Sequence, residues 1–372
     1  IRAAFAADGD LDPTFDTDGK VTVNVGTDDK GNAVVILADG KVLVGGTDGA
    51  NFVVLRRNSD GAPDPSFGTD GVVTTNFGDT DRANGLAVAA DGKIVAAGTS
   101  GEDFALARYD SDGELDPSFG TDGLVTTSFR TLGGSYTTAE GTAVAIQPDG
   151  KIVVAGYVRN GSEFDDFALA RYDAEGKLDT DFGTNGLVAT MVQSPEYDQI
   201  YAVAIQSDGK IVVAGDTKGT PGIFVMARYS SSGALDTDFG TDGFVYAATQ
   251  QVATGRAVMI QPDDKIVAAG AKSVTDLNSN NCIDSKGRYC KYLDFWVARF
   301  NPDGTPDTSF GNDGEMSTPI NSRGNDDQGR GVALQADGKI VVAGHADMST
   351  HTFSGEDEFF NRTDDFALAR YS

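Results

Sequence analysis

The sequence predicts an all-β fold, a six-bladed β-propeller of four-stranded antiparallel blades, on three observations. First, the chain repeats itself. The phrase D-x-x-F opens at Asp12, Asp64, Asp116, Asp179, Asp236 and Asp307. A lysine followed by an apolar run recurs at Lys41, Lys93, Lys151, Lys210, Lys265 and Lys339. A third phrase runs FVVLRR (52–57), FALARY (104–109), FALARY (167–172), FVMARY (224–229), FWVARF (295–300) and FALARY (366–371). Second, each repeat holds four short apolar runs. Third, the chain begins and ends out of phase with the repeat.

The third repeat shows the four runs: TAVAIQ (142–147), KIVVAG (151–156), FALARY (167–172) and GLVATM (186–191). They are too short for ordinary helices and are bounded by Gly, Asp, Asn and Pro. PDGK (148–151) places Asp-Gly between the first two runs, and the glycine supplies the positive φ of a tight hairpin. Each repeat is therefore read as a four-stranded meander. The 47 glycines fit that reading.

A sheet of this size buries too little surface to stand alone. Both faces of its strands are apolar or small, so each must pack on both sides, as radial blades do. The expected blades span about 31–77, 84–129, 141–191, 200–249, 255–318 and 329–372, within one domain over 1–372. The chain opens with a fourth-strand run, KVTVNV (20–25), and ends on a third-strand run, FALARYS (366–372). The expectation is that 20–25 joins the C-terminal blade and closes the ring, removing exposed edges.

The text AVAIQPDGKIVVAGY together with FALARYDxxGxLDxxFGxxG resembles the delta-60 repeat family of bacterial β-propellers, over about residues 9–372. The resemblance implies an exported or surface-associated bacterial protein. It brings no catalytic motif to carry over.

The net charge of −27 argues against nucleic acid and anionic membranes as partners, because their binding needs Lys and Arg patches. It favours cations such as calcium, and basic partners. There is no long apolar run, so membrane insertion is not expected. IRAAFAA (1–7) is too short for a signal peptide and is read as a processed end or the edge of an expressed segment. Cys282 and Cys290 share one loop. They are read as a local disulfide in preference to free thiols, and a disulfide implies an oxidising compartment: extracellular, cell surface or periplasm. Two thiols without a nearby histidine are too few for zinc.

Variation is confined to two sets of connections expected on one face. The loops between second and third strands include 157–166, 216–222, 271–294 and 345–365. Those leading into first strands include 130–141, 192–199 and 318–330. Irregular loops gathered on a rigid scaffold are where binding usually sits. In DLNSNNCID, Asp276, Asn278, Asn280, the Cys282 carbonyl and Asp284 stand at alternating positions, as in the first part of calcium loops. Asn281 and Gly287 depart from the EF-hand pattern, and the alternative is an Asx-rich loop stapled by the disulfide. A weaker metal candidate is Asp110, Asp112 and Asp116, where an Asx-capped turn is the plainer reading.

The third-strand arginines and the Asp of D-x-x-F recur in every repeat and are expected to form Arg–Asp or Arg–carbonyl contacts between blades. The phenylalanines Phe67, Phe119, Phe182, Phe239 and Phe310 are expected as core plugs. His345 and His351 are read as exposed loop residues. Tyr157, Tyr197, Tyr289, Tyr292, Phe359 and Phe360 are the leading aromatic contacts for a protein or glycan. Further loop aromatics are Tyr136, Phe164, Tyr201 and Phe353. No catalytic motif is present.

Two functions compete. The first is a secreted or cell-surface binding scaffold, with calcium in the 271–294 loop. The second is a calcium-dependent hydrolase or lyase at the mouth of the central channel. The starts of the first strands would supply it with Asp29, Asp81, Arg82, Glu140, Asp198, Arg256, Asp327 and Arg330.

Overall fold

The computed structural model describes residues 12–16, 18–133, 136–161, 164–192, 197–217, 223–246, 253–275, 291–320, 326–347, 350–354, 357–361 and 364–372. Strands β1 (Lys30–Ile36), β2 (Val42–Thr47), β3 (Phe52–Arg57) and β4 (Val72–Thr75) form the first sheet. Strands β5 (Asp81–Val88), β6 (Ile94–Ser100), β7 (Asp103–Tyr109) and β8 (Leu124–Thr127) form the second. The third holds β9 (Tyr136–Ile146), β10 (Ile152–Asn160), β11 (Asp165–Tyr172) and β12 (Leu187–Thr190). The fourth holds β13 (Asp198–Ile205), β14 (Ile211–Thr217), β15 (Ile223–Tyr229) and β16 (Phe244–Tyr246). The fifth holds β17 (Ala253–Ile260), β18 (Ile266–Thr275), β19 (Lys291–Phe300) and β20 (Glu315–Thr318). The sixth has three strands, β21 (Asp327–Leu334), β22 (Ile340–Asp347) and β25 (Asp364–Tyr371). A hairpin, β23 (Thr350–Ser354) with β24 (Asp357–Asn361), lies between the last two.

The blades are meanders whose strands pair in chain order, except that β22 pairs with β25 across the β23–β24 hairpin. The Asp-Gly joints explain it. Gly150 takes φ +86°, and the Asp149 carboxylate accepts the Lys151 N–H at 3.1 Å. In PDDK (262–265), Asp264 takes the glycine's place at φ +61°.

The chain divides into two compact units, residues 1–162, 169–180 and 184–187 in one and 163–168, 181–183 and 188–372 in the other. The first unit buries Phe52, Val54, Phe67, Ile94 and Tyr109 in one cluster, with alanines on facing strands that let the sheets approach closely. The second unit has a cluster around Phe224, Phe239, Trp296 and Phe300, and another around Phe295, Phe310, Val342 and Tyr371. Each buried Phe contributes ~2–3 kcal/mol. The terminal tyrosine of the third strand also bolts neighbouring sheets: the Tyr109 hydroxyl lies 2.7 Å from Thr75 Oγ1, and that of Tyr172 donates to Thr127 Oγ1 at 2.8 Å.

Three features depart from expectation. Residues 20–25 form no strand and do not supply a fourth strand to the sixth sheet. They are tied locally instead. The N–H groups of Val25 and Gly26 donate to the Asp29 carboxylate at 3.0 and 2.8 Å, and Val21, Val23 and Val25 line an apolar cleft with Val42, Val44 and Leu55. Second, connections read as loops are partly strand: β9 begins at Tyr136, and β18 and β19 stay paired out to Thr275 and Lys291. Third, Phe366 and Leu368 on β25 are exposed, whereas their repeat equivalents Phe104 and Leu106 are fully buried.

Candidate functional site

Through the first five blades the repeated chemistry is spent on architecture, while the sixth-blade Arg370 is exposed. Arg56 Nε donates to Asp64 Oδ2 at 2.7 Å, Lys41 Nζ meets the same oxygen at 3.0 Å, and the guanidinium lies 4.5 Å over the Phe67 ring. Its Nη1 donates to the Ser111 carbonyl of the next repeat. Arg108–Asp116–Lys93, Arg228–Asp236–Lys210 and Arg299–Asp307–Lys265 repeat the node. Burial works against the Asp64 charge, yet hydrogen bonds from Ser66, Lys41 and Arg56 hold its carboxyl well below the usual range. The Arg–carbonyl contact crosses to the next repeat as expected, whereas the Arg–Asp pair closes within a single repeat. They also absorb the weaker metal candidate: Asp116 belongs to a node, and Asp110 Oδ1 accepts the N–H groups of Asp112 and Glu114 at 2.9 and 3.0 Å.

What differs from blade to blade is gathered at a feature that sequence reading missed. Each first strand carries a β-bulge against its second strand. The extra residue is Asn32, Asn84, Thr142, Tyr201, Arg256 or Arg330. Bulges re-aim side chains and favour functional positions. The signal was the glycine closing each second-strand run, as in KIVVAG. A Cβ on Gly46, Gly98, Gly156, Gly215, Gly270 or Gly344 would overlap the carbonyl oxygen of Lys30, Arg82, Glu140, Gln199, Thr254 or Gln328. Only glycine admits that approach.

In the first unit the bulge residues are small and satisfied. Asn32 Nδ2 donates to the Ala83 carbonyl at 3.1 Å, and Asn84 Nδ2 to that of Gly141 at 2.8 Å. Beside them Arg82 and Glu140, both proposed from sequence, share a polar cleft of about 720 Å³ with Asp79, Glu102, Asp103 and Arg130. Arg130 is committed to Glu102 and to the Thr137 carbonyl, whereas Arg82 is exposed.

In the second unit the bulge residues are long and polar. The Arg256 guanidinium lies 3.9 Å over the Tyr201 ring, with Nη2 3.7 Å from Asp216 Oδ2. Asp216 Oδ1 accepts the Gly255 N–H at 2.8 Å. The Tyr201 hydroxyl donates to Gln199 Oε1 at 2.7 Å, and Gln199 Nε2 donates to the fully buried Asp165 at 2.6 Å. Burial pushes the Asp216 carboxyl up to about 6, against the pull of the Arg256 charge and the Gly255 N–H. Burial also raises the Tyr201 phenol. In the sixth blade, Arg330 Nε donates to His345 Nδ1 at 3.2 Å, so His345 is half-buried beside a bulge rather than an isolated loop residue.

The other proposed site residues scatter. Asp81, Asp198 and Asp327 are buried corner residues whose carboxylates accept the N–H groups of Phe77, Val192 and Ile320 at 2.7, 2.9 and 2.9 Å. Asp29 does the same for Val25 and Gly26. They hold the chain where it turns into a first strand. Tyr197 is exposed and packs edge-on against Phe164 at 5.8 Å. Tyr157 and Tyr292 are half-buried on β10 and β19. Asp276, Asn278, Asn280, Cys282, Asp284, Tyr289 and Cys290 lie outside the described residues, as do the side chains of His351, Phe359 and Phe360. Among the described residues no three His, Cys, Asp or Glu side chains are grouped to hold a metal ion, and no helix is long and apolar enough to cross a membrane.

No curated protein matches the chain. Among solved structures, a protein of unknown function from Dyadobacter fermentans is similar with a TM-score of 0.50 at 12% identity, over 90% of this chain and 93% of that one. This likeness supports the fold alone. The PQQ-bound aldose sugar dehydrogenase of Streptomyces coelicolor matches at TM-score 0.46 and 13% identity over 94% and 98%. Virginiamycin B lyase of Staphylococcus aureus matches at 0.43 and 12% over 86% and 94%. The model of a family described as a domain of unknown function (DUF5122) beta-propeller matches residues 37–67, 89–119, 147–182, 206–239, 292–310 and 335–372, one segment per blade. With its six meander blades, the chain belongs to this β-propeller repeat family.

Proposed function

We propose that the protein is a secreted or cell-surface binding propeller that recognises a protein or glycan through the ends of its blades where the first strands begin. The observation that carries this reading is the division of labour inside each repeat. Arginines, aspartates, lysines and phenylalanines that recur from blade to blade are paired with one another. Residues at and beside the bulges change from blade to blade and include exposed Arg82 in a polar cleft. A frame held constant under a varied polar surface suits recognition better than one conserved reaction. The resemblance to delta-60 repeats supports an exported, extracellular location. In the same reading, Asp276, Asn278, Asn280, the Cys282 carbonyl and Asp284 bind calcium, and a Cys282–Cys290 disulfide pins that loop.

The test is a glycan array and a panel of purified surface proteins, probed with the whole chain and with the Arg82→Ala/Glu140→Ala double variant. The variant is expected to bind its ligand about tenfold more weakly with unchanged melting. Equal binding would remove the cleft from the recognition surface. Conversion of the captured ligand into product would replace this reading with the hydrolase or lyase one, which the acid–base position of Asp216 favours.

A further inference from the structure

Arg256 stands apart from the arginines of the blade nodes. Each of those donates Nε to an aspartate within 2.9 Å. Arg256 Nε is buried with no hydrogen-bond partner, and the nearest carboxylate oxygen, Asp216 Oδ2, is 3.7 Å from Nη2, beyond hydrogen-bond length. The group is held by other means. The bulge at Arg256 aims it across to the fourth blade, and the Tyr201 ring lies flat beneath it. Tyr201 is in turn fixed through Gln199 to Asp165. The Arg256 side chain keeps 28% of its surface exposed, so solvent and solutes reach it.

We propose that Arg256, seated on Tyr201 beside Asp216, binds the carboxylate group of an acidic ligand. A stacked guanidinium whose Nε has no acceptor and whose Nη2 stands 3.7 Å from Asp216 Oδ2 matches a planar two-oxygen anion. Two features favour a monovalent carboxylate over phosphate. The chain carries a net charge of −27, and Asp216 and Asp165 stand nearby, so a second negative charge on the ligand is repelled more strongly.

The same neighbours set the pH dependence. Among the described residues, the charged and titratable groups around Asp216 are Arg256 on β17, Tyr201 on β13 and, through Gln199, Asp165 on β11. Ionised Asp216 competes with the ligand for Arg256. Protonated Asp216 stops competing and offers an O–H donor. Because burial pushes Asp216 up to about 6, binding strengthens as pH falls through that value.

This inference deepens the binding reading by naming a ligand class, and it fails independently of it, since the cleft around Arg82 lies in the other unit. The test is calorimetry on the whole chain with sodium glucuronate, N-acetylglycine, glucose and inorganic phosphate, at pH 5.0 and 7.5. At least one carboxylate is expected to saturate one site, about tenfold more tightly at pH 5.0. Which one does so tells a uronate from a peptide acid. Glucose gives no heat. Arg256→Gln and Arg256→Lys, with melting curves to confirm folding, lose the site or weaken it at least tenfold. Asp216→Asn binds at both pH values with the wild-type affinity of pH 5.0. Four results would overturn the proposal: no saturation at tens of millimolar, glucose at either pH or phosphate at pH 7.5 binding as well as the carboxylates, unchanged binding in a folded Arg256→Gln, or pH dependence that survives Asp216→Asn.

Discussion

Arg108 Nε donates to Asp116 Oδ2 at 2.9 Å, an ion pair closed within the second repeat. The same guanidinium reaches the Ala174 carbonyl and lies 4.5 Å over Phe119. Removing one partner of a buried pair strands the other, so Arg108→Ala is expected to destabilise by ~3–5 kcal/mol in urea unfolding. Arg108→Lys should recover little of this, because an ammonium cannot serve a carboxylate and a carbonyl while stacking on a ring.

The bulges make a sharper prediction about glycine. Gly98→Ala forces a methyl into the Arg82 carbonyl, whereas Gly92, at φ +87°, has open space around it. Gly98→Ala is expected to cost ~3 kcal/mol or more, through displaced backbone. Gly92→Ala should cost only the ~1 kcal/mol of a left-handed alanine. Similar melting temperatures for the two variants would contradict the bulge geometry.

Phe104 and Phe366 occupy equivalent positions in FALARY, one buried and one bare. Phe104→Ala is expected to cost ~3–5 kcal/mol and Phe366→Ala close to nothing. Equal losses in thermal melts would show that the β25 face is covered in solution.

Stability should be greatest in mildly acid solution. Asp64, Asp116 and Asp307 are held below their ordinary range by hydrogen bonds and ion pairs, so their contribution is present above pH ~4 and is lost as pH falls. Burial raises Asp216 and Asp294 to about 6. The fold holds their protons where the unfolded chain has released them, so stability declines as pH rises from ~4 to 6. Melting temperature should therefore peak near pH 4–5. Asp216→Asn should flatten the decline, by at most ~3 kcal/mol at pH 7.

Calcium is tested by calorimetry on chelator-stripped protein beside the Asp276→Ala/Asp284→Ala variant. One site in the wild type and none in the variant is the expected outcome. Equal binding by both would move the ion elsewhere, and no binding by either would leave 276–284 as an Asx-rich loop.

The four-strand repeat, its strand order in the first five blades and its turn positions were legible in the sequence, because local chemistry sets them. Asp149 and Gly150 close their hairpin within four residues. The assignment of the repeated arginines to architecture was legible too, since a group present in every blade cannot mark one place. The pairing of Arg256 with Tyr201 was not. Both names stood among the candidates, but a bulge shifts register by one residue and so decides which side of a strand a side chain takes. That shift depends on a carbonyl approaching a glycine on the neighbouring strand, a long-range contact that periodicity does not record. The apolar alternation of 20–25 likewise marks a segment fit for a strand without naming its partner, and the hydrogen bonds to Asp29 hold it beside the first sheet instead. The repeat thus determined what the blades are. Packing decided which of their few unrepeated side chains meet, because meeting depends on register and burial across sequence distances that a local pattern cannot carry.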